Sequence, residues 1–438
     1  MTYWKLLNKK QTTARAGHTC TCVPHTPLMY VLGGALDHIG TPFPSNNFPV
    51  YNIDTNKWDN ADLDPNNPDL LRPSPRVGHS CVGIEDGKMI GEQLFINPSK
   101  ENHSALLVFG GWCELQVKND LWKFNTRTRT WEDLSERQKG QIPKQRSNHS
   151  CVLIDHFMIV FGGLGEEQTE YFNDLYILDI RSLVWRCVES EPSPNLTNNQ
   201  NQTDDTTMTN GNEEDRTHPP PSRCHAACVH RKRLVLFGGG TEKQCYNDIW
   251  VFDLEVLRWS KVSINEPRPL REAKKASQNG YYGFKELKDL KPSEIFKEPE
   301  PRFFCESEVL DMDRMIVFGG RNSKQRIGET WKFDFESMEW ELLQFGHANE
   351  SITLTLDEEE KDDVDESKEK FEPSPRSGFR LCKLWSNNRR RLVLFGGNNG
   401  KDRCSEVWEF VLDITLLKKN LRKIIRTKQF VDILIKSQ

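Results

Sequence analysis

A dipeptide that closes six separate apolar runs constrains this chain more than any other feature. Gly33-Gly34, Gly110-Gly111, Gly162-Gly163, Gly238-Gly239, Gly319-Gly320 and Gly396-Gly397 each follow a β-branched, aliphatic or aromatic stretch. Such self-similarity marks a repeat architecture, in which each unit buries its apolar surface only by stacking on its neighbours. The pairs lie 77, 52, 76, 81 and 77 residues apart. The shortest interval sets a unit of about 50 residues, and the excess in the others locates insertions.

Each pair holds a fixed place in a longer pattern. Upstream, an arginine opens a strand: Arg15, Arg76, Arg146, Arg223, Arg302 and Arg376. Downstream, units two to five carry an aromatic and then a tryptophan nine residues on, as Trp122 and Trp131, Tyr176 and Trp185, Trp250 and Trp259, and Trp331 and Trp340. Unit one keeps only Trp58. Every unit therefore reads as four short antiparallel strands, the second ending in Gly-Gly, which describes the blade of an all-β propeller. Unit six lacks its fourth strand, because Leu417 stands where the tryptophan belongs. Residues 3 to 7 match the missing strand, with Trp4 aligned to Trp259. The N-terminal strand is expected to complete blade six and close the ring, removing exposed strand edges.

The Gly-Gly pairs, the Arg-x-x-His starts at His18, His79 and His149, and the spaced aromatics resemble the kelch repeat over nearly all of residues 1–416. The expected organisation is a six-bladed kelch propeller over 1–412 and a helical tail over 413–438. Insertions fall at about 190–221, 266–300 and 346–374, each between the last strand of one blade and the first of the next. The first, rich in Asn, Thr and Gln, and the third, strongly acidic, read as segments too polar to build a core. A fourth, about 85–104, separates the first two strands of blade two.

Charge narrows the function classes. The 438 residues carry a net charge of −5, while Asp357 to Lys370 alone contributes −6 and leaves the remainder at +1. Neither sum suits a protein whose main ligand is nucleic-acid phosphate. No run of about 18 apolar residues suggests a membrane span, and the start has no secretory apolar core, so a cytoplasmic and also nuclear protein is expected. The twelve cysteines are then expected to be free thiols. No P-loop, His-Glu-x-x-His or Gly-x-Ser-x-Gly motif is present, so the reading is of a non-catalytic protein without cofactor or metal. Cys224, His225, Cys228 and His230 are potential zinc ligands. Strand alternation separates them, and the repeat alignment sets Cys228 level with Cys20, Cys81 and Cys151.

Six arginines at equivalent places on a six-fold ring would set guanidiniums around the channel mouth. The candidate substrate-binding set is Arg15, Arg76, Arg146, Arg223, Arg302 and Arg376, joined from the same face by Arg321, Ser147 and Ser222. Planar, charge-assisted donors of this kind suit a carboxylate. The competing reading makes each strand-opening arginine an architectural element paired to its own neighbourhood. In the tail, Thr415, Leu416, Asn420 and Ile424 share one face of an expected helix and resemble the elongin-binding box. Its place after the last kelch strand is similar to that in the kelch-domain substrate receptors of elongin-containing cullin ubiquitin ligases. The resemblance implies elongin B/C and a cullin as partners. It also implies a propeller that reads a substrate peptide, in several members its C-terminal carboxylate. The alternative is a scaffold for cytoskeletal or trafficking partners.

Overall fold

The computed structural model describes residues 2–411 except 10–11, 38–39, 63, 65, 68, 87–88, 91–92, 95–102, 114–115, 168, 189–216, 266–297, 346–371 and 387–388. The expected helical tail and most of the three inter-blade insertions thus lie outside the described residues.

Six sheets form the blades, each a four-stranded antiparallel meander in order from the channel outward, with Lys139–Gly140 added in parallel at the outer edge of blade three. The inner strands are Thr19–Cys22, Ser80–Asp86, Ser150–Ile154, Ala226–His230, Glu306–Val309 and Ser377–Ser386. Each inner strand touches the next, and the sixth returns to the first. Tyr3–Asn8 pairs antiparallel with Val407–Val411 and supplies the fourth strand of blade six, in the register Trp4 opposite Phe410 and Leu6 opposite Trp408. Trp4 is buried against Phe410, 5.1 Å away in its own blade, and Phe318, 5.2 Å away in blade five. Trp259 makes the same two-blade contact with Phe252 and Phe161, both at 5.1 Å. Burying an aromatic of this size contributes roughly 2–3 kcal/mol, which makes closure favourable as well as possible. The core lies between blades, where apolar faces of adjacent sheets interdigitate.

Two sets of backbone hydrogen bonds stitch the blades together. The second glycine of each pair donates its N–H to a carbonyl at the start of the following blade: Gly34 to Arg76 at 3.0 Å, Gly111 to Arg146 at 2.9 Å, Gly239 to Arg302 at 3.0 Å and Gly397 to Arg15 at 2.9 Å. The close approach explains the glycines, since a Cβ on Gly33 would sit 2.4 Å from the Arg76 carbonyl oxygen, at a φ of +62°. The second set is a closed circle around the channel. Gly17 donates to Gly378 (2.9 Å), Gly378 to Phe304 (3.3 Å), Phe304 to Cys224 (3.0 Å), Cys224 to Asn148 (2.8 Å), Asn148 to Gly78 (2.7 Å) and Gly78 to Gly17 (3.1 Å). All six residues have positive φ, three of them without being glycine.

These stitches correct the repeat alignment at blade four. Gly163 donates to Ser222 at 2.9 Å, and Cys224 occupies the circle two residues on. Ser222, and not Arg223, is therefore the counterpart of the other five arginines. Cys228 moves by one position too: its Sγ lies 3.5 Å from Met315 Sδ in the inter-blade core, while Ala227 is level with Cys20, Cys81 and Cys151.

The expectation that all cysteines are free is also corrected. Cys22 and Cys382 form a disulfide between the inner strands of blades one and six, across a sequence separation of 360 residues. It joins the blades that the N-terminal strand brings into register.

Candidate functional site

Five of the strand-opening arginines are not at the mouth. Arg15, Arg76, Arg146, Arg302 and Arg376 are at most 1% exposed. Each guanidinium turns inward and donates from Nη1 to the carbonyl of the first glycine in its own pair, as Arg76 to Gly110 at 2.9 Å and Arg146 to Gly162 at 3.0 Å. Four also meet a carboxylate within or just before the third strand of the same blade. Arg76 clasps Asp120 through two contacts of 2.8 Å, and Arg146 clasps Asp174 at 2.6 and 3.0 Å. Arg302 reaches Glu329 at 2.8 Å, and Arg376 reaches Glu406 at 3.0 Å. In blade one Asn47 replaces the acid, 2.6 Å from Arg15, whose guanidinium lies 4.0 Å above the Phe43 ring. Burial is the largest influence and raises the Asp120 pKa, but the hydrogen bonds and charge of Arg76, with the Trp122 hydrogen bond and the charge of Lys118, together outweigh it and hold the carboxyl below its ordinary range. The architectural reading therefore holds for these five, and their expected part in the channel mouth is withdrawn. Ser147 and Ser222 are withdrawn with them: both are buried, and the Ser222 hydroxyl donates to Pro220 O at 2.8 Å and sits 2.7 Å from His225 Nε2.

The one-residue offset in blade four has the opposite effect. With Ser222 in the inward slot, Asp248 pairs with Lys261 at 2.8 Å, and Arg223 stays half-exposed on the face, its guanidinium 5.7 Å from the Tyr171 ring. Arg321, directly after a Gly-Gly pair, is likewise half-exposed and lies 4.7 Å from the Phe303 ring and 5.5 Å from that of Phe304. Burial lowers the Arg321 pKa, and the nearby charges of Arg326 and Arg223 lower it further. The structure thus keeps two of the nine expected residues, Arg223 and Arg321, on the candidate surface.

It adds two more. Arg326 bridges Arg321 across the hairpin between the second and third strands of blade five, and Arg403 occupies the same hairpin position in blade six. The Arg326 guanidinium lies over Gly400 of blade six, where an added Cβ would be 3.1 Å from Nη1. Arg403 donates to the Asp37 carbonyl of blade one. Its pKa is lowered, first by burial and also by Arg326, with Asp37 acting in the other direction. A signal for both was present in sequence: each stands three residues before the carboxylate that pairs the buried arginine, Glu329 or Glu406. Among the described residues, no carboxylate forms an ion pair with Arg223, Arg321, Arg326 or Arg403.

Below this face the channel opens into a cavity of about 400 Å³. Its charged groups satisfy one another: Arg380 pairs with Glu306 and donates to His18 O at 2.9 Å, and Lys383 pairs with Glu308 at 2.9 Å. Burial, then the charge of Arg146, pushes the His149 imidazole down to about 3, while burial pushes the Cys81 and Cys151 thiols up to about 12. These groups are neutral at physiological pH. The two histidines among the considered zinc ligands have other partners: His225 sits 3.1 Å from Ser150 Oγ, and His230 stacks on Phe335 at 3.9 Å and lies 2.8 Å from Met312 O.

With six closed blades and their stitches in place, comparison with known proteins decides the family. The KLHDC2/KLHL20/DRC7 kelch-repeats domain matches residues 17–200 and 99–284, overlapping windows that cover more than half of the chain. The chain belongs to this family. It is a kelch propeller. Relatives of this kelch propeller include acyl-CoA-binding domain-containing protein 4 of Arabidopsis thaliana, 22% identical over 82% of this chain and 38% of that protein. Host cell factor 1 of Homo sapiens is 26% identical over 58% of this chain and 11% of its own length. Tip elongation aberrant protein 3 of Schizosaccharomyces pombe is 26% identical over 43% of this chain and 16% of its own. The kelch propeller thus corresponds to less than half the length of each of these relatives.

Proposed function

We propose that this kelch propeller is the non-catalytic substrate receptor of an elongin-containing cullin ubiquitin ligase, acting in the cytoplasm and nucleus. Its ligand is a peptide with a free C-terminal carboxylate, received on the face of blades four to six. One observation carries the binding half of this reading: among the described residues no carboxylate pairs with the half-buried guanidiniums of Arg223, Arg321, Arg326 and Arg403, whereas four of the five inward arginines each hold one. A carboxylate accepts planar, charge-assisted bonds from such donors, each worth about 1.5–3 kcal/mol. The aromatic rings beside Arg223 and Arg321 orient the cations and offer apolar surface for the preceding residues.

The ligase half rests on Thr415, Leu416, Asn420 and Ile424, which lie outside the described residues. Co-purification of the full-length chain with elongin B and C tests it. The expected result is stable capture, lost in Leu416→Asp while thermal melting stays at the wild-type temperature. No capture by the wild-type chain would leave a kelch scaffold, for cytoskeletal or trafficking partners, without a ligase.

A further inference from the structure

Resting on the carboxylate reading above, we propose that this face selects peptides whose last residue is Glu or Asp, so that a terminal and a side-chain carboxylate are presented together. The cations form a row and not a single point. Arg223 belongs to blade four, Arg321 and Arg326 face each other across one hairpin of blade five, and Arg403 continues onto blade six. A lone carboxylate has two oxygens and satisfies one guanidinium fully, or two in part. It leaves the rest of the row uncompensated.

The protein itself shows what compensation requires. It supplies one carboxylate to each of Arg76, Arg146, Arg302 and Arg376. By that standard the described residues of the face lack more than one negative group, and the channel beneath lends none of its own, because Glu306 and Glu308 are already paired. Asp37 accepts from Arg403 through its backbone carbonyl and its charge offers that guanidinium partial relief, but its carboxylate also holds Thr41. The surplus therefore centres on Arg223, Arg321 and Arg326. Repulsion among these cations weakens when two anionic groups bind side by side, so the second carboxylate adds affinity beyond its own contact.

The test uses the full-length chain and three fluorescein-labelled twelve-residue peptides with the same uncharged body, followed by anisotropy at about 0.15 M salt. One ends in a free-acid Gly, one in a free-acid Glu and one in Glu amide. The free-acid Glu peptide is expected to bind at least about tenfold more tightly than either of the others. The gap should narrow as salt rises, and Arg326→Ala should reduce it to about threefold or less. Equal affinity for the two free acids would overturn the dianion proposal while leaving the carboxylate reading intact. Equal affinity for free-acid Glu and Glu amide would show that no terminal carboxylate is read, and absence of binding by all three would overturn both.

Discussion

Replacing Arg146 with alanine is expected to destabilise the propeller by about 3–5 kcal/mol, because breaking a buried ion pair from one side leaves the other partner without compensation. Arg146 is fully buried; its removal strips Asp174 of two hydrogen bonds and leaves the Gly162 carbonyl without its donor. The guanidinium also lies 4.4 Å from the Phe172 ring, so packing is lost with the charge. For a domain of this size the fall in melting temperature should be about 3–6 °C. Arg146→Lys should recover little of it, since an ammonium cannot meet a carboxylate and a carbonyl in one plane as the guanidinium does. Thermal melts of both variants decide the point. A melt within about 1 °C of wild type for the alanine variant would mean that the buried arginines are not structural.

The second large effect falls on binding and spares the fold. Arg321→Ala should weaken a peptide with a free C-terminal carboxylate by about 10- to 100-fold, the equivalent of one charge-assisted contact. Its stability should be unchanged or slightly raised. No carboxylate among the described residues pairs with Arg321, and its neighbours Arg223 and Arg326 repel it. Anisotropy and a thermal melt on the same sample separate the two arginine classes. Loss of more than about 2 kcal/mol of stability, with no loss of binding, would place Arg321 among the structural arginines.

The contrast between Arg146 and Arg321 shows how far sequence reaches in a repeat protein. Gly33-Gly34 and its five counterparts were legible because left-handed backbone and close approach leave glycine as the residue that fits. Ring closure was legible because Trp4 repeats the place of Trp259. What the arginines do was not legible, since an Arg that opens a strand reads alike whether it turns inward to Asp174 or outward to solvent. Blade four misled for a specific reason. Ser222 and Arg223 are adjacent, and only the backbone bond from Gly163 to Ser222 says which one occupies the inward slot. The Cys22–Cys382 disulfide was hidden by its separation, because only the closed ring brings residue 382 beside residue 22. Arg326 and Arg403 carry only the faint signal of standing three residues before Glu329 and Glu406, in a hairpin whose sequence differs from blade to blade.

The account places the ligand on one face of three blades, and amide hydrogen exchange tests that placement most directly. With the free-acid Glu peptide at saturation, slower exchange is expected in the hairpins around residues 240–245, 321–326 and 398–403, with little change elsewhere. Protection confined to the opposite face, in the turns around 155–156, 180–183 and 231–232, would contradict it.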